Sequence, residues 1–309
     1  MRYAFFGSPP FAIAVFERLL ESAHFPVALV TRPDRPRGRG MKVEPSPLVV
    51  LAQARGVAVL QPETTKDPAF LAALRTLDPE LLLVASYGEI LRTDLLELAP
   101  HGALNVHASL LPRHRGASPI QAAILAGDAE TGVCVQRMVR ALDEGDVLLE
   151  LRTPIGEREN ASELLARLSV LGGEAAVHAL DLVENGEARF TAQDQARATY
   201  AKRIAKEAGR IDWNKSALEL ERFVRAMTPW PAARTLDPHG AELVVLEARV
   251  CKNEKQAAPG TLIALAPLPI VACASGALEL MRVKPAGKTA MDAGAWLRGA
   301  RLEVEARFL

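Results

Sequence analysis

Ala103-Leu-Asn-Val-His-Ala-Ser-Leu-Leu-Pro-Arg-His-Arg-Gly-Ala-Ser-Pro-Ile120 decides how the chain folds, because one element ends and another begins inside it. Ala103 to His107 is a short apolar run bounded by Gly102 and by the turn residues Pro112 and Gly116. It is too brief for a helix and suits a buried strand. Pro119 opens a helical pattern from Ile120 to Ala126, and Gly127 closes it. The strand carries Asn105 and His107 two positions apart, so both side chains leave it on one face. An amide and an imidazole at the end of an apolar strand need buried partners or a substrate.

The same alternation runs outward in both directions. Tyr3–Phe6, Pro26–Val30, Val57–Leu60, Leu81–Ser86 and Val133–Val139 read as further strands. Pro10 precedes a helical pattern over Phe11–Glu21. Asp67 followed by Pro68 reads as a cap and a first-turn proline, with Leu71 and Leu74 on one face. Strands alternating with helices predict an α/β fold, a doubly wound and mostly parallel sheet. Such sheets bind ligands outside the carboxyl ends of their strands, which puts Asn105 and His107 at the working edge.

Leu164–Val183 predicts a long helix, weakened at Gly172-Gly173. The pattern dissolves around Asn185-Gly-Glu-Ala-Arg189, and the polar stretch Asp194–Gly209 reads as a linker. Ser216–Met227 is amphipathic, with Leu220, Phe223, Val224 and Met227 facing inward. Strand patterns follow at Leu243–Val250, Gly260–Leu265, Ile270–Cys273 and Ala277–Val283, the last two joined by the hairpin signal Ser275-Gly276. The expected organisation is a catalytic domain over 1–188, a linker over 189–207, and a small OB-like β-barrel over 208–309.

A chain of 309 residues suits two domains. Cys134, Cys251 and Cys273 stand far apart with no Cys-x-x-Cys pair, which excludes a zinc ribbon or a disulfide framework. A reducing, cytoplasmic setting is expected, with no signal peptide and no membrane span. Residues 1–200 hold 20 Lys and Arg against 25 Asp and Glu, whereas 201–309 hold 17 against 12. A basic tail fits an acidic partner. Gly7-Ser-Pro-Pro-Phe11 has one glycine where a dinucleotide fingerprint needs three. Gly287-Lys288-Thr289 resembles the end of a Walker loop, but Arg282 stands where its first glycine belongs. His101, His107 and His114 cannot share one helical face across Gly102, Pro112 and Gly116, so no metal is expected.

Several short motifs now join. Asn105-Val-His107, Ser109-Leu-Leu-Pro112, Arg115-Gly116, Pro119-Ile-Gln121, Gly127-Asp128, Thr131-Gly132-Val133 and Leu142-Asp143-Glu-Gly145-Asp146 together resemble the signature of the folate-dependent formyltransferases. The resemblance implies a Rossmann-like core and formyl transfer from 10-formyltetrahydrofolate to an amine. It implies Asn105, His107 and Asp143 as the catalytic set. It also implies a folate slot of Gly88, Glu89, Ile90 and Leu91 with Val139, Arg140, Ala141 and Leu142, walled by Ser109, Leu110, Leu111 and Pro112. Three positions depart from the family pattern: Ala108 and Ala141 replace glycines, and His114 replaces a tryptophan.

Pro33-Asp-Arg-Pro-Arg-Gly-Arg-Gly40, Pro45-Ser-Pro47, Ile211-Asp-Trp213, Pro229-Trp-Pro231, Pro259-Gly-Thr261 and Lys284-Pro-Ala-Gly-Lys288 resemble the branch that acts on methionyl-tRNA. The acceptor implied is initiator methionyl-tRNA, met at its acceptor stem by a monomer. From Arg32 to Lys42 five cations face one carboxylate, Asp34. Arg35, Arg37, Arg39 and Lys42 become candidates for tRNA phosphates, joined by Lys202, Arg203, Lys206 and Arg210. Arg39, between Gly38 and Gly40, leads them. The plain alternative is a solvated basic loop. Two other functions stay open: a formyltransferase acting on a sugar-nucleotide amine, and a tRNA-binding protein without catalysis.

The residue types suit acyl transfer between amines. Charge develops on the formyl oxygen, and a positioned donor there lowers the barrier by roughly 3 kcal/mol. Asn105 is an uncharged donor. His107 can donate when protonated or take the amine proton when neutral, and Asp143 can orient it or relay the proton. Singly, a buried Asn or His is usually structural and an Asp before a glycine is usually a turn former. As a set joined by one proline-bounded loop, they point to catalysis.

Overall fold

In the computed structural model, which describes residues 1–37 and 42–309, the chain divides into two compact units. One comprises residues 1–119, 130–154 and 165–202; the other comprises 120–129, 155–164 and 203–309. Up to residue 202 the elements are β1 (Tyr3–Gly7), α1 (Phe11–Leu20), β2 (Pro26–Val30), β3 (Pro36–Arg37), β4 (Lys42–Val43), α2 (Pro47–Ala54), β5 (Ala58–Leu60), α3 (Pro68–Thr76), β6 (Leu81–Ala85), α4 (Thr93–Leu96), β7 (Ala103–His107), β8 (Arg115–Gly116), α5 (Pro119–Ala126), β9 (Glu130–Arg137), β10 (Val147–Pro154), α6 (Ala161–Glu184) and β11 (Tyr200–Ala201).

Seven of these strands form a sheet in the order β10-β9-β7-β6-β1-β2-β5. The run from β7 to β5 is parallel. β9 is antiparallel to β7, and β10 is antiparallel to β9. The mostly parallel sheet is therefore as expected, with an antiparallel pair at one edge. β10 carries no strand signal in the sequence, because at the edge its outward residues Glu150 and Arg152 interrupt the apolar run. α2 also escapes the sequence pattern; Ser46 caps it, its hydroxyl accepting from the Val49 amide at 3.4 Å.

Adjacent residues of β1 show why helices cover both faces. Phe5 stacks on Phe16 of α1, ring centres 5.0 Å apart. Phe6 points the other way, edge-on to Phe70 of α3 at 6.4 Å and to Tyr87 at 5.4 Å. The Phe6 cluster continues through Val84, Leu95 and Ala103. Along β7 the period of two then sets Asn105 and His107 on the Ala103 side and Val106 opposite. Val106 meets Gly172 of α6, which runs unbroken past both glycines. The expected weakness there is instead a close approach. A Cβ on Gly172 would sit 2.9 Å from Phe11 Cζ, and one on Gly173 2.7 Å from Arg18 Cβ.

The polar stretch Asp194–Gly209 begins inside the first unit. Residues up to 202 belong to the first unit, and β11 pairs in parallel with β8, Tyr200 opposite Arg115 and Ala201 opposite Gly116. Its polar residues face polar partners inside the unit, which is why it lacks apolar periodicity.

The second unit contains α7 (Ala217–Met227), β12 (Ala233–Leu236), β13 (Glu242–Cys251), β14 (Leu262–Ala264), β15 (Ile270–Ala272), β16 (Ala277–Pro285), β17 (Met291–Asp292) and α8 (Ala293–Ala300). Ser216 and Glu219 form a capping box at the start of α7. The sheet is antiparallel, β12-β13-β16-β15-β14, with β17 on β16. Its two edges are joined by the chain's last residues. The Leu262 amide donates to Ala306 O at 2.8 Å on one side, and the Leu236 amide donates to Leu309 O at 2.9 Å on the other. That segment bridges the two ends of the sheet into a small barrel. Trp213 is core here: it lies 5.9 Å from Phe308, and its Nε1 donates to Thr235 Oγ1 at 3.0 Å. Among the described residues no helix is long and apolar enough to cross a membrane.

Candidate active site

β7 delivers Asn105 and His107 side by side, and Asn105 pairs in register with Gln136 of β9. The loop after β9 brings Asp143 over that pair in a left-handed conformation, φ 53°. Its carboxylate gathers the site. Oδ1 accepts from Gln136 Nε2 at 2.9 Å and from Asn105 Nδ2 at 3.3 Å. Oδ2 accepts from the Gly116 amide at 2.8 Å and lies 3.8 Å from His107 Nδ1. Both His107 and Asp143 are largely buried, at 6% and 11% exposure. Hydrogen bonds to a carboxylate in such surroundings are strong and directional.

His107 Nε2 lies 3.0 Å from the carbonyl oxygen of His114. A carbonyl only accepts, so Nε2 carries the hydrogen and Nδ1 is the nitrogen turned to Asp143. His114, at φ 58°, aims that carbonyl, and its own amide donates to Thr199 Oγ1 at 2.8 Å. The contribution of His114 is thus made by its backbone. Behind His107, Cys134 occupies the paired position on β9, and its sulfur accepts from the Leu111 amide at 3.3 Å. Burial pushes that thiol up to about 12, so it is no nucleophile.

Sequence reasoning missed Gln136, Gln193 and Thr199. Gln136 left a signal, a long polar side chain within the apolar run Val133-Cys-Val-Gln136. Gln193 and Thr199 left none, since they sit in a stretch that is polar throughout.

The folate-slot candidates divide by exposure. Ile90, Leu142 and Val139 are apolar yet 79%, 58% and 43% exposed. Arg140, Ala141 and Gly88 are exposed beside them in sequence. Gly88 takes a φ of 78°, and its carbonyl accepts from the Arg32 guanidinium. Leu91 is buried in the Phe6 cluster, and the Glu89 carboxylate turns to Thr64 Oγ1 at 2.9 Å and the Thr65 amide at 3.1 Å. Ser109 is buried and donates to Arg113 O at 2.7 Å; Leu111 is buried, while Leu110 and Pro112 are half-buried. Exposed apolar side chains among backbone polar groups fit a flat heteroaromatic ring with hydrogen-bonding edges.

The basic candidates are dispersed. Arg35 is exposed and pairs with Glu63. Arg37 stands opposite Lys42 in the short β3–β4 ladder, and Lys42 is exposed. Arg39 lies outside the described residues. Lys202 ends the first unit; Arg203, Lys206 and Arg210 are in the second, and all four are exposed. Among the described residues no group of three His, Cys, Asp or Glu could hold a metal ion.

Residues 1–180 match the family described as formyl transferase, and residues 203–301 match the formyl transferase C-terminal domain. The chain is 46% identical over 303 residues to a methionyl-tRNA formyltransferase of Anaeromyxobacter dehalogenans, covering 95% of each. It is 42% identical to one of Symbiobacterium thermophilum, covering 100% of this chain and 95% of that one. Among solved structures it resembles the sugar 3N-formyl transferase WlaRD, with TM-score 0.66 and 14% identity over 94% of this chain and 99% of the other. It also resembles HypX from Aquifex aeolicus in complex with tetrahydrofolic acid, with TM-score 0.63 and 17% identity over 96% of this chain and 47% of that one. At these identities the structural likenesses speak for the fold alone.

Proposed function

The chain belongs to the formyl transferase family, and from that premise we propose that it transfers the formyl group of 10-formyltetrahydrofolate to the α-amino group of methionine on initiator methionyl-tRNA. The observation that carries the reading is the meeting of the Asn105 amide and His107 Nδ1 on the single carboxylate of Asp143.

Each group has a defined task. Asn105 Nδ2 bears two hydrogens; one is directed to Asp143 Oδ1, and the other has no acceptor among the described residues. That second N–H is the donor for a developing oxyanion. His107, its Nε2–H committed to His114 O, takes the amine proton at Nδ1. Asp143 Oδ2 stands opposite the nitrogen that then carries the proton, while the Gly116 amide holds that oxygen in place. Ile90, Val139 and Leu142 provide apolar walls for the pterin-like ring, with Gly88, Glu89, Leu91, Ser109, Leu110, Leu111, Pro112, Arg140 and Ala141 contributing backbone and rim. When bound, the folate supplies a formyl group already activated toward an amine.

In this reading the residues 1–188 perform the chemistry and the basic barrel over 208–309 binds RNA. Arg35, Arg37, Arg39 and Lys42 contact the phosphates of the acceptor stem, and Lys202, Arg203, Lys206 and Arg210 add to the field. The enzyme acts as a cytoplasmic monomer. A substrate screen tests the assignment: 10-formyltetrahydrofolate with charged initiator tRNA in one arm and amino-sugar nucleotides in the other. Formylation of the sugar nucleotide in place of methionyl-tRNA would refute it.

A further inference from the structure

Gln193 lies after residue 180 and before residue 203, outside both matched family segments. It is nevertheless buried, at 8% exposure, against the back of the active site. Its Oε1 accepts from Arg115 Nε at 3.1 Å and Nη2 at 2.7 Å. Its Nε2 lies 2.8 Å from Asp143 O, 2.7 Å from Gly145 O and 3.1 Å from Gln136 Oε1. Gln136 in turn donates from Nε2 to Asp143 Oδ1.

The order of these groups has one solution. Arg115 has donors only, and the Asp143 carboxylate has acceptors only. Two amides stand between them, Gln193 and Gln136. Each must present oxygen toward the arginine and nitrogen toward the carboxylate; reversing either would set donor against donor and acceptor against acceptor. Arg115 itself is fully buried and cannot turn away. Its Nη1 donates to Gln195 Oε1 at 2.9 Å and to Tyr200 Oη at 3.4 Å, and it lies 3.4 Å from the Glu144 carboxylate. A buried charge held this way costs desolvation, and its return is a single arrangement of the groups around it.

We propose that Gln193, locked by Arg115, is a positioning residue of the active site, holding the left-handed turn at Asp143 and the amide of Gln136 so that the carboxylate faces Asn105 and His107. The turn needs holding. Asp143 sits at φ 53°, and Gly145 passes so close to Arg137 O that a Cβ there would lie 1.8 Å from it. Gln193 binds both carbonyls of that turn and also reaches the carboxylate through Gln136. Its two routes to Asp143 separate it from a residue that merely packs.

The inference rests on the formyl-transfer reading. The test compares wild type, Gln193→Ala and Gln193→Glu by steady-state kinetics with both substrates, by kcat against pH, and by thermal melting. Gln193→Glu keeps the acceptor for Arg115 and loses every donor toward Asp143, Gly145 and Gln136. The expected result is a kcat lower by about 10- to 100-fold in both variants, as for other groups that orient a reacting one. Both KM values should stay within about two-fold and the kcat–pH profile should be displaced, with both variants still folded at the assay temperature. Variants with wild-type kcat, losses confined to KM, or an unmoved kcat–pH profile would overturn the inference alone. A wild-type chain that leaves methionyl-tRNA unformylated would overturn the functional reading, and this inference with it.

Discussion

His107 Nε2 and the carbonyl oxygen of His114 are 3.0 Å apart, and this contact decides which imidazole nitrogen is available for chemistry. Neutral histidine has one N–H, and the carbonyl claims it. Long-range ¹H–¹⁵N spectra recorded on the neutral imidazole should therefore show His107 as the Nε2–H tautomer, with Nδ1 unprotonated. An Nδ1–H tautomer would reverse the roles assigned to the two nitrogens.

Asn105→Ala removes the uncharged donor while leaving the pairing of His107 with Asp143. Loss of one oxyanion donor costs about 10²- to 10³-fold in kcat. The expected loss in Asn105→Ala is of that order, read in single-turnover formylation, with folate affinity retained. A loss below about ten-fold would mean that the amide does not face the oxyanion.

Cys134 should be silent to alkylation in the folded protein. Burial pushes its thiol from 9.0 to about 12, so at pH 8 it is protonated as well as enclosed. The raised value also gives a direction for stability. The contribution is complete below about pH 9, where both states hold the proton, and is lost as pH rises toward 12. Mass spectrometry after iodoacetamide treatment at pH 8 should find Cys134 unmodified in the native protein and modified in urea. Rapid native labelling would contradict this burial.

Gly173→Ala tests whether the glycine pair is a packing device. Alanine favours an isolated helix over glycine by about 1 kcal/mol. Here the new Cβ would stand 2.7 Å from Arg18 Cβ and 3.3 Å from Ala14 O. Crowding of that kind costs roughly 1–3 kcal/mol, so the variant should be the less stable in urea titration. A stabilised variant would show that α6 can draw back from α1 without penalty.

The parallel sheet was legible because buried strands such as Leu81–Ala85 and Pro26–Val30 are uniform apolar runs between turns. Asn105, His107 and Asp143 were legible as motif residues, and the structure brings them together. What escaped had a physical reason in each case. β10 is an edge strand with one polar face, and α2 hides its cap between two prolines. Gly172-Gly173 looks like a helix breaker until the partner helix is placed. Gln193 and Thr199 act from a polar stretch whose partners are polar, so no apolar period marks them. Trp213, picked out as a tail motif, turned out to be barrel core.

The basic residues should show themselves through salt. Each phosphate neutralised adds roughly one unit to the slope of log affinity against log salt. Replacing Lys206 and Arg210 together by alanine should flatten that slope for tRNA by about two units, while folate binding is unchanged. An unchanged slope would remove them from the interface.

Formyl transfer to methionyl-tRNA by the Asn105–His107–Asp143 set is tested by a formylation assay of wild type beside Asp143→Asn. With 10-formyltetrahydrofolate and charged initiator tRNA, wild type should yield formylmethionyl-tRNA and Asp143→Asn should be at least about a hundred-fold slower. No product from wild type, or equal rates from the two proteins, would contradict it.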